Sequence, residues 1–207
     1  MKNPKKILIA NRGVIAIRAL RAAKELGYQV ASVYSTVDKD QKHLKLSDEA
    51  ICIGPAISKD SYLNEAAIIS AAELVGADAI YPGYGFLAEN SAFAEKCNES
   101  GFKFIGPDPK VIEIMGDKIR AKELIESLGV PVVPGYTGKI DSQDQIEKVV
   151  NDIGYPVIVK ATAGGGGKGM RVVNEENELW DSVVSAQNEA QRAFGNGEVF
   201  IEKYLKK

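Results

Sequence analysis

The sequence predicts an α/β protein in two parts, a parallel-sheet domain followed by a small α+β domain. In the first half, short apolar runs alternate with segments of helical periodicity, and such alternation is typical of βαβ units. The densest Pro/Gly stretch outside a run of four consecutive glycines covers residues 129–135, and we expect the domain boundary there. The predicted domains therefore comprise residues 1–130 and 131–207.

Apolar periodicity and cap residues place the elements of the first half. Predicted strands cover residues 7–10, 30–34, 79–81 and 103–105. Predicted helices cover residues 15–26, 63–74, 91–99, 109–115 and 117–128. Asp108 followed by Pro109 supplies an N-cap and a first-turn proline for the fourth helix. On the first helix the expected apolar side consists of Ile15, Ala19, Ala22, Ala23 and Leu26. Its other face carries Arg18, Arg21 and Glu25.

The second half reads as a compact α+β unit. Predicted helices cover residues 143–153 and 176–193, and predicted strands cover residues 157–160, 170–173 and 198–204. Asn174 is expected to cap the second of these helices, with Glu175 and Glu176 suited to the positive end of its dipole.

Composition excludes several classes of function. The chain has 207 residues and a formal net charge of -2, and without a long Lys/Arg block it lacks the footprint of a nucleic-acid binder. The apolar stretch at residues 7–10 is too short for a signal peptide, so we expect a cytoplasmic protein with no membrane partner.

The cysteines and the histidine give no sign of catalysis. Cys52 and Cys97 form no CxxC pair, and we expect buried reduced thiols. His43 is the only histidine and lies in a polar connection, which argues against a Ser-His-Asp triad and against a multi-histidine metal site.

A glycine run is the strongest functional signal. Gly164, Gly165, Gly166 and Gly167 follow a predicted strand and lie between Lys160 and Lys168. Consecutive glycines let backbone N–H groups turn toward an anion, and the two lysines add cationic groups within reach of phosphate oxygens. The run therefore predicts a phosphate-binding loop. A solvent-exposed hairpin turn is the alternative.

Two loops follow predicted strands of the first sheet. The turn at residues 10–16 holds only Gly13, so the dinucleotide fingerprint G-x-G-x-x-G is absent from an otherwise Rossmann-like sheet. NAD or FAD binding there is not expected. Residues 81–90, Tyr-Pro-Gly-Tyr-Gly-Phe-Leu-Ala-Glu-Asn, occupy a strand end where open α/β sheets bind ligands. The alternative is a rigid turn with a helix cap at Asn90 or Ser91.

Two further segments suggest a nucleotide. Lys118 lies in the first turn of a helix, against the dipole preference, and a bound phosphate would reconcile it. A solvated surface lysine is the alternative. Glu202 and the backbone of its strand could meet an adenine edge, whereas by themselves they would indicate an ordinary edge strand.

Taken in order, these segments resemble the biotin carboxylases, which are ATP-grasp enzymes. The likeness rests on residues 11–13, 81–90, 115–118, 160–170 and 202–205. The family includes the biotin carboxylase subunit of acetyl-CoA carboxylase, which serves fatty acid biosynthesis, and matching parts of pyruvate and propionyl-CoA carboxylases. By this resemblance, residues 1–130 form a pre-ATP-grasp domain and residues 131–207 the first ATP-grasp subdomain.

The resemblance implies a ligand set and a role for each site residue. The family reaction uses ATP, Mg²⁺ or Mn²⁺, and bicarbonate to form carboxyphosphate, and then carboxylates biotin on a carrier protein. Lys118 and Lys160 would contact ATP phosphates, and Gly164 to Gly167, with Lys168 beside them, would close as a flap. The adenine pocket would involve Glu202, Lys203, Tyr204 and Leu205.

The resemblance also implies partners and a restriction. A biotin carboxyl carrier protein, a carboxyltransferase and a second copy of the enzyme would be the partners. The family's magnesium-binding glutamates, bicarbonate-binding residues, catalytic base and catalytic arginine would lie beyond Lys207, so we expect no catalytic residue within this chain and no activity from it alone. Val14 stands where the family usually has Glu, which puts any polar role of that loop in doubt.

Other readings remain open. A non-catalytic dimerisation or regulatory module would suit the face that carries Arg18, Arg21 and Glu25. Another ATP-grasp ligase, such as a carbamoyl-phosphate or purine-biosynthesis enzyme, would share the fold but should lack the string at residues 81–90.

Overall fold

A computed structural model of the chain describes residues 5–162 and 170–206. Contacts between Cα atoms group the chain into two units, Met1–Gly116 and Asp117–Lys207. This division comes earlier in the chain than the boundary expected from the Pro/Gly stretch. Among the described residues, no helix combines the length and the apolar character needed to cross a membrane.

The first unit contains a five-stranded parallel sheet of order β3-β2-β1-β4-β5. Its strands are β1 (Lys6–Ile9), β2 (Gln29–Ser35), β3 (Glu49–Gly54), β4 (Ala79–Tyr81) and β5 (Lys103–Phe104). The predicted α/β class with a parallel first sheet is therefore confirmed. The strand order reverses between β1 and β4, so the loops after these two strands lie side by side.

Helices cover both faces of this sheet. They are α1 (Gly13–Glu25), the short α2 (Lys42–Leu46), α3 (Glu65–Leu74), α4 (Ser91–Glu99) and α5 (Pro109–Gly116). Alternate residues of β1 divide between the faces, with Ile7 and Ile9 packed in one apolar cluster with α1. Leu8 belongs to the other cluster, which includes the buried residues of α3 and α4.

The second unit contains a four-stranded antiparallel sheet of order β6-β9-β7-β8. It comprises α6 (Lys118–Ser127), β6 (Gly135–Tyr136), α7 (Gln143–Ile153), β7 (Val157–Ala161), β8 (Met170–Val173), α8 (Leu179–Phe194) and β9 (Val199–Lys203). One sheet face packs against α7 and α8, because Val157 and Ile201 share a buried cluster with Ile146 and Val183. The predicted small α+β unit is confirmed.

One local expectation, the cap of α8, and one alternative interpretation, an edge strand at β9, are wrong. Asn174 does not cap α8, which begins at Leu179 after a 3-10 turn at Glu176–Glu178 and has no side-chain cap. The Asn174 N–H instead donates to Glu178 Oε2 at 3.2 Å. β9 is a central strand rather than an edge strand, because it pairs with both β6 and β7.

Four side chains differ from expectation in burial or setting. Cys52 is exposed, because it lies on the edge strand β3, whereas Cys97 is buried as expected. Burial raises the pKa of the Cys97 thiol to about 12. His43 is fully buried in α2 rather than placed in a polar connection. Ala22 and Leu26, assigned to the apolar side of α1, are exposed.

Candidate functional site

In the first unit, Asn11 joins two of the segments that the sequence singles out. Its buried side-chain amide donates to the carbonyl of Pro82 at 2.8 Å and to that of Tyr84 at 3.0 Å. The loop after β1 and the loop after β4 therefore meet at the carboxyl edge of the sheet, where its strand order reverses. Tyr84 is exposed at this edge. Asn90 caps α4 by accepting from the Phe93 N–H at 2.9 Å, so the expected helix cap is also present.

Arg12 and Asp38 form a second arrangement at the same edge, and the sequence alone gave no sign of it. Arg12 Nη1 lies 3.4 Å from each carboxylate oxygen of Asp38. The guanidinium carbon lies 5.4 Å from the ring centre of Tyr62 and 5.8 Å from that of Phe86, and those rings stack at 4.9 Å. Charge pairing and cation–π contacts together fix the direction of Arg12.

In the second unit, Lys160 and Glu202 form an ion pair across neighbouring strands. Lys160 pairs with Phe200 and Ile158 pairs with Glu202 in the antiparallel register, so these four side chains share one face of the sheet. That face is opposite to the one covered by α7 and α8. The Lys160 ammonium donates to Glu202 Oε2 at 2.6 Å and lies 6.0 Å from the centre of the Phe200 ring.

Lys122 is a third member of this cluster, and sequence reasoning missed it. Its ammonium donates to Glu202 Oε1 at 3.0 Å. Its position four residues after Lys118 places both lysines on one face of α6, and this spacing was the available signal. A Cβ on Gly135 would clash with the Ile201 carbonyl oxygen, and it would also lie 2.9 Å from the Lys122 Nζ, so glycine lets α6 and β9 place their groups close to this strand.

The Glu202 carboxylate is largely shielded, with 15% of its side chain exposed. Burial by itself raises the pKa of this carboxyl. The hydrogen bonds from Lys160 and Lys122 and the charges of both ammonium groups outweigh burial, so the pKa lies below the ordinary value for glutamate. The carboxylate is ionised at neutral pH, and its two oxygens accept hydrogen bonds from the two ammonium groups. These oxygens are therefore not available to an adenine.

Lys118 reaches the strand that leads into the glycine run. Its ammonium donates to the carbonyl of Thr162 at 3.3 Å, and Thr162 is the last described residue before that run. Asp117 caps α6 by accepting from the N–H groups of Ile119 and Arg120. The predicted flap residues Gly164, Gly165, Gly166 and Gly167, with Lys168, lie outside the described residues. The structure therefore brings together Lys160 and Glu202, with Lys118 at the end of β7.

The other three predicted adenine-pocket residues are placed differently. The Lys203 ammonium donates to the carbonyl of Gly154 at 2.9 Å and to that of Tyr155 at 2.8 Å, and its side chain lies on the opposite sheet face from Glu202. Tyr204 and Leu205 follow β9 and are exposed. The Tyr204 N–H donates to the Pro156 carbonyl at 3.0 Å.

Residues 5–162 and 170–206 contain no cluster of three or more His, Cys, Asp or Glu side chains suited to a metal ion. In the second unit, Lys122 and Lys160 place two ammonium groups around the carboxylate of Glu202.

The first unit has a parallel sheet of order β3-β2-β1-β4-β5, and the second has an antiparallel sheet with Lys118 and Lys160 close to the start of the glycine run. Together these features define the ATP-grasp class of proteins.

The chain belongs to the biotin carboxylase N-terminal domain family, whose model matches residues 3–112. Residues 117–207 match the ATP-binding domain of the carbamoyl-phosphate synthase L chain. The chain is 55% identical to biotin carboxylase 1 of Bacillus subtilis over 201 residues, which is 97% of this chain and 45% of that protein. The biotin carboxylase of Haemophilus influenzae is also 55% identical, with the same coverage. The chain thus spans about 45% of the length of these curated relatives.

Solved structures agree with this assignment. A complex of Campylobacter jejuni biotin carboxylase with β,γ-ATP superposes with a TM-score of 0.89 and 52% identity over 99% of this chain and 46% of that chain. The biotin carboxylase domain dimer of Hydrogenobacter thermophilus 2-oxoglutarate carboxylase, solved with MgADP, ADP and bicarbonate, has a TM-score of 0.86 and 48% identity. The superposition covers 100% of this chain and 45% of that chain.

Proposed function

We propose that a protein containing this chain is a biotin carboxylase, which uses MgATP and bicarbonate to carboxylate biotin on a carrier protein through carboxyphosphate. This chain would supply the N-terminal portion and part of the ATP site. The observation that carries the proposal is the Lys160 ammonium held against Glu202 on the sheet face opposite α7 and α8, on the strand that leads into the glycine run.

The side chains fit the phosphates of ATP. Lys160 and Lys118 are positioned from β7 and from the start of α6, and both flank the entry to the glycine run. Phosphate oxygens prefer such ammonium donors, and positioning and charge neutralisation carry most of a phosphoryl transfer. Gly164 to Gly167 and Lys168 remain the proposed flap. The nucleotide complexes named for the Campylobacter and Hydrogenobacter proteins support this assignment.

The adenine would lie near the end of β9. The carboxylate of Glu202 and the ammonium of Lys203 are both taken by other groups, and the Lys203 N–H donates to the Pro134 carbonyl at 2.8 Å. We therefore assign the base contacts to the backbone from the Lys203 carbonyl onward, with Glu202 beside the adenine pocket. Exposed Leu205 and Tyr204 would add apolar surface.

Magnesium does not fit the described residues, since they provide no cluster of carboxylates. We therefore assign Mg²⁺ or Mn²⁺, bicarbonate and the catalytic groups to the part of the relatives that this chain does not span. The 207-residue chain alone would not turn over ATP.

We also propose partner proteins, an oligomeric state and a cellular location. A biotin carboxyl carrier protein and a carboxyltransferase would accept the product, within either an acetyl-CoA carboxylase or a pyruvate carboxylase system. A homodimer is proposed because the Hydrogenobacter domain is named as a dimer and because Arg18, Arg21 and Glu25 are exposed along α1. We place the protein in the cytoplasm.

The test is a kinetic comparison in the intact gene product that contains this chain. Bicarbonate-dependent phosphate release from MgATP is measured for the wild type, for Lys160→Met and for Lys148→Met, an exposed lysine on α7 that serves as the charge-matched control. We expect Lys160→Met to raise the KM for ATP on the order of 10- to 100-fold, because the variant loses one or two charge-assisted hydrogen bonds to the phosphates. Unchanged ATP saturation would refute the phosphate contact, and absent bicarbonate dependence would refute the proposed reaction.

A further inference from the structure

The Lys122–Glu202–Lys160 cluster contains more cations than its carboxylate needs. Each ammonium has its own oxygen, Lys122 on Oε1 at 3.0 Å and Lys160 on Oε2 at 2.6 Å. The two lysines come from different elements, the helix α6 and the strand β7. If one lysine moves away, the other therefore still pairs with the carboxylate of Glu202.

The two lysines differ in their surroundings. Lys122 has 14% of its side chain exposed, and Lys160 has 30% exposed. The Lys122 ammonium occupies the space beside Gly135 that a Cβ would fill. The Lys160 ammonium also lies 6.0 Å from the centre of the Phe200 ring, and Lys160 precedes the first glycine of the run by four residues. Lys122 is the enclosed partner, and Lys160 is the one placed to turn toward a ligand.

We propose that Lys122 is a positioning residue of the nucleotide site, which retains the Glu202 carboxylate while Lys160 leaves it for a phosphate of ATP. The inference rests on the proposed function and deepens it. A shielded carboxylate that loses its last cation is costly, and that cost would be subtracted from the affinity for the nucleotide. With Lys122 in place, Glu202 remains ionised and paired in both states of Lys160.

A specific signature separates this role from a merely structural one. Without Lys122, departure of Lys160 would leave Glu202 without either ammonium, and its pKa in the nucleotide complex would rise because only burial would remain. Nucleotide binding would then be coupled to proton uptake by Glu202. In the wild type, Glu202 stays ionised in both states and contributes no such coupling.

The first experiment measures MgATP binding by calorimetry in the intact gene product, at several pH values and in buffers of different ionisation enthalpy. Lys122→Met should weaken binding at neutral pH on the order of tenfold, relieved as the pH falls, with additional proton uptake relative to the wild type. Lys122→Arg keeps the charge and should restore both the affinity and the pH profile. The charge-matched control Lys148→Met should follow the wild type.

The second experiment needs no nucleotide and follows the Glu202 carboxyl by NMR in the same protein. In Lys160→Met the pKa of Glu202 should stay below the ordinary value, and in the double variant Lys160→Met/Lys122→Met it should rise above it. A pKa that is already raised in Lys160→Met would overturn the inference, and so would Lys122→Met binding MgATP with wild-type affinity and pH dependence. A wild type that binds no MgATP would instead refute the proposed function, and the inference would fall with it.

Discussion

Tyr62 donates its phenolic proton to Oδ2 of Asp38 at 2.8 Å inside the first unit. The same hydroxyl accepts the Ser35 N–H at 3.1 Å, and Ser35 Oγ also donates to Asp38 at 2.7 Å. Tyr62 and Asp38 are almost fully buried. Burial and the bond to Asp38 raise the pKa of Tyr62 to about 12. The Tyr62–Asp38 pair therefore fixes the end of β2 and the Tyr62 ring against which the Arg12 guanidinium packs.

Tyr62→Phe should lower the free energy of unfolding by about 1–3 kcal/mol, because a buried donor to an ionised carboxylate is lost while the ring is retained. Urea unfolding followed by far-UV circular dichroism measures the change. Tyr34→Phe is the matched control, since among the described residues the Tyr34 hydroxyl makes no hydrogen bond, and it should change stability by less than about 0.5 kcal/mol. Equal stabilities of the two variants would contradict the anchoring role.

The single histidine should make stability depend on pH in a definite window. Burial lowers the pKa of His43, although the Val33 carbonyl and the charge of Asp38 oppose this shift. The unfolded chain therefore binds the proton first, so stability is present above about pH 6.5 and falls, by up to roughly 1.4 kcal/mol per pH unit, as the pH drops toward the folded pKa. Asp38 has a lowered pKa, and its contribution is lost only below the ordinary range of aspartate.

Two measurements check this window. The imidazole resonance of His43 should titrate below pH 6.5 in the folded protein, and His43→Gln should flatten the stability profile just below about pH 6.5. A wild-type histidine that titrates above its ordinary value would reverse the sign and refute the argument.

Local signals allowed most elements to be predicted. α4 and α7 begin and end where expected because each has a side-chain cap, Asn90 and Ser142 respectively, before a run of clear helical periodicity. β3 was missed because an edge strand with its first residues exposed has no strong apolar alternation. α2 was missed because it has only five residues. Asn174 was assigned as a cap because a capping residue type alone does not show where the first turn is α-helical rather than 3-10.

The site could be predicted only in part, for a physical reason. The glycine run and Lys160 are local features, but the partners of Glu202 are separated from it by 80 and 42 positions. The spacing from Lys118 to Lys122 gives a shared helix face without showing what that face meets. Similarly, no local pattern links Asp38 to Tyr62, because the sheet brings them together.

Two glycines in the turn after β4 test whether close packing constrains this loop, because only one of them lies against neighbouring side chains. Gly83 and Gly85 both have positive φ, at 72° and 70°. A Cβ on Gly83 would lie 2.6 Å from Ile15 Cγ2 and 3.0 Å from Asn11 Nδ2, whereas a Cβ on Gly85 would meet nothing within 4 Å. Gly85→Ala should cost about 1–2 kcal/mol for the left-handed backbone alone. Gly83→Ala should cost roughly 1–3 kcal/mol more, since Asn11 must also move.

Thermal or urea unfolding of the two variants gives this difference directly. If both alanines cost the same, the contact of Gly83 with Asn11 does not constrain the loop, and the joining of the two loops through Asn11 loses its support.

Lys203→Met tests whether the Lys203 side chain stabilises the second unit. Its ammonium donates to the carbonyls of Gly154 and Tyr155, which close the connection between α7 and β7. Removing a charged donor from two backbone acceptors should lower the free energy of unfolding by about 1.5–3 kcal/mol. Trp180, the only tryptophan, lies in α8, so its fluorescence reports unfolding of this unit. Lys148→Met, with the same charge change on exposed α7, should shift that transition by less than about 0.5 kcal/mol. If both variants shift the transition equally, the cost comes from the lost charge, and the Lys203 ammonium does not hold the two carbonyls.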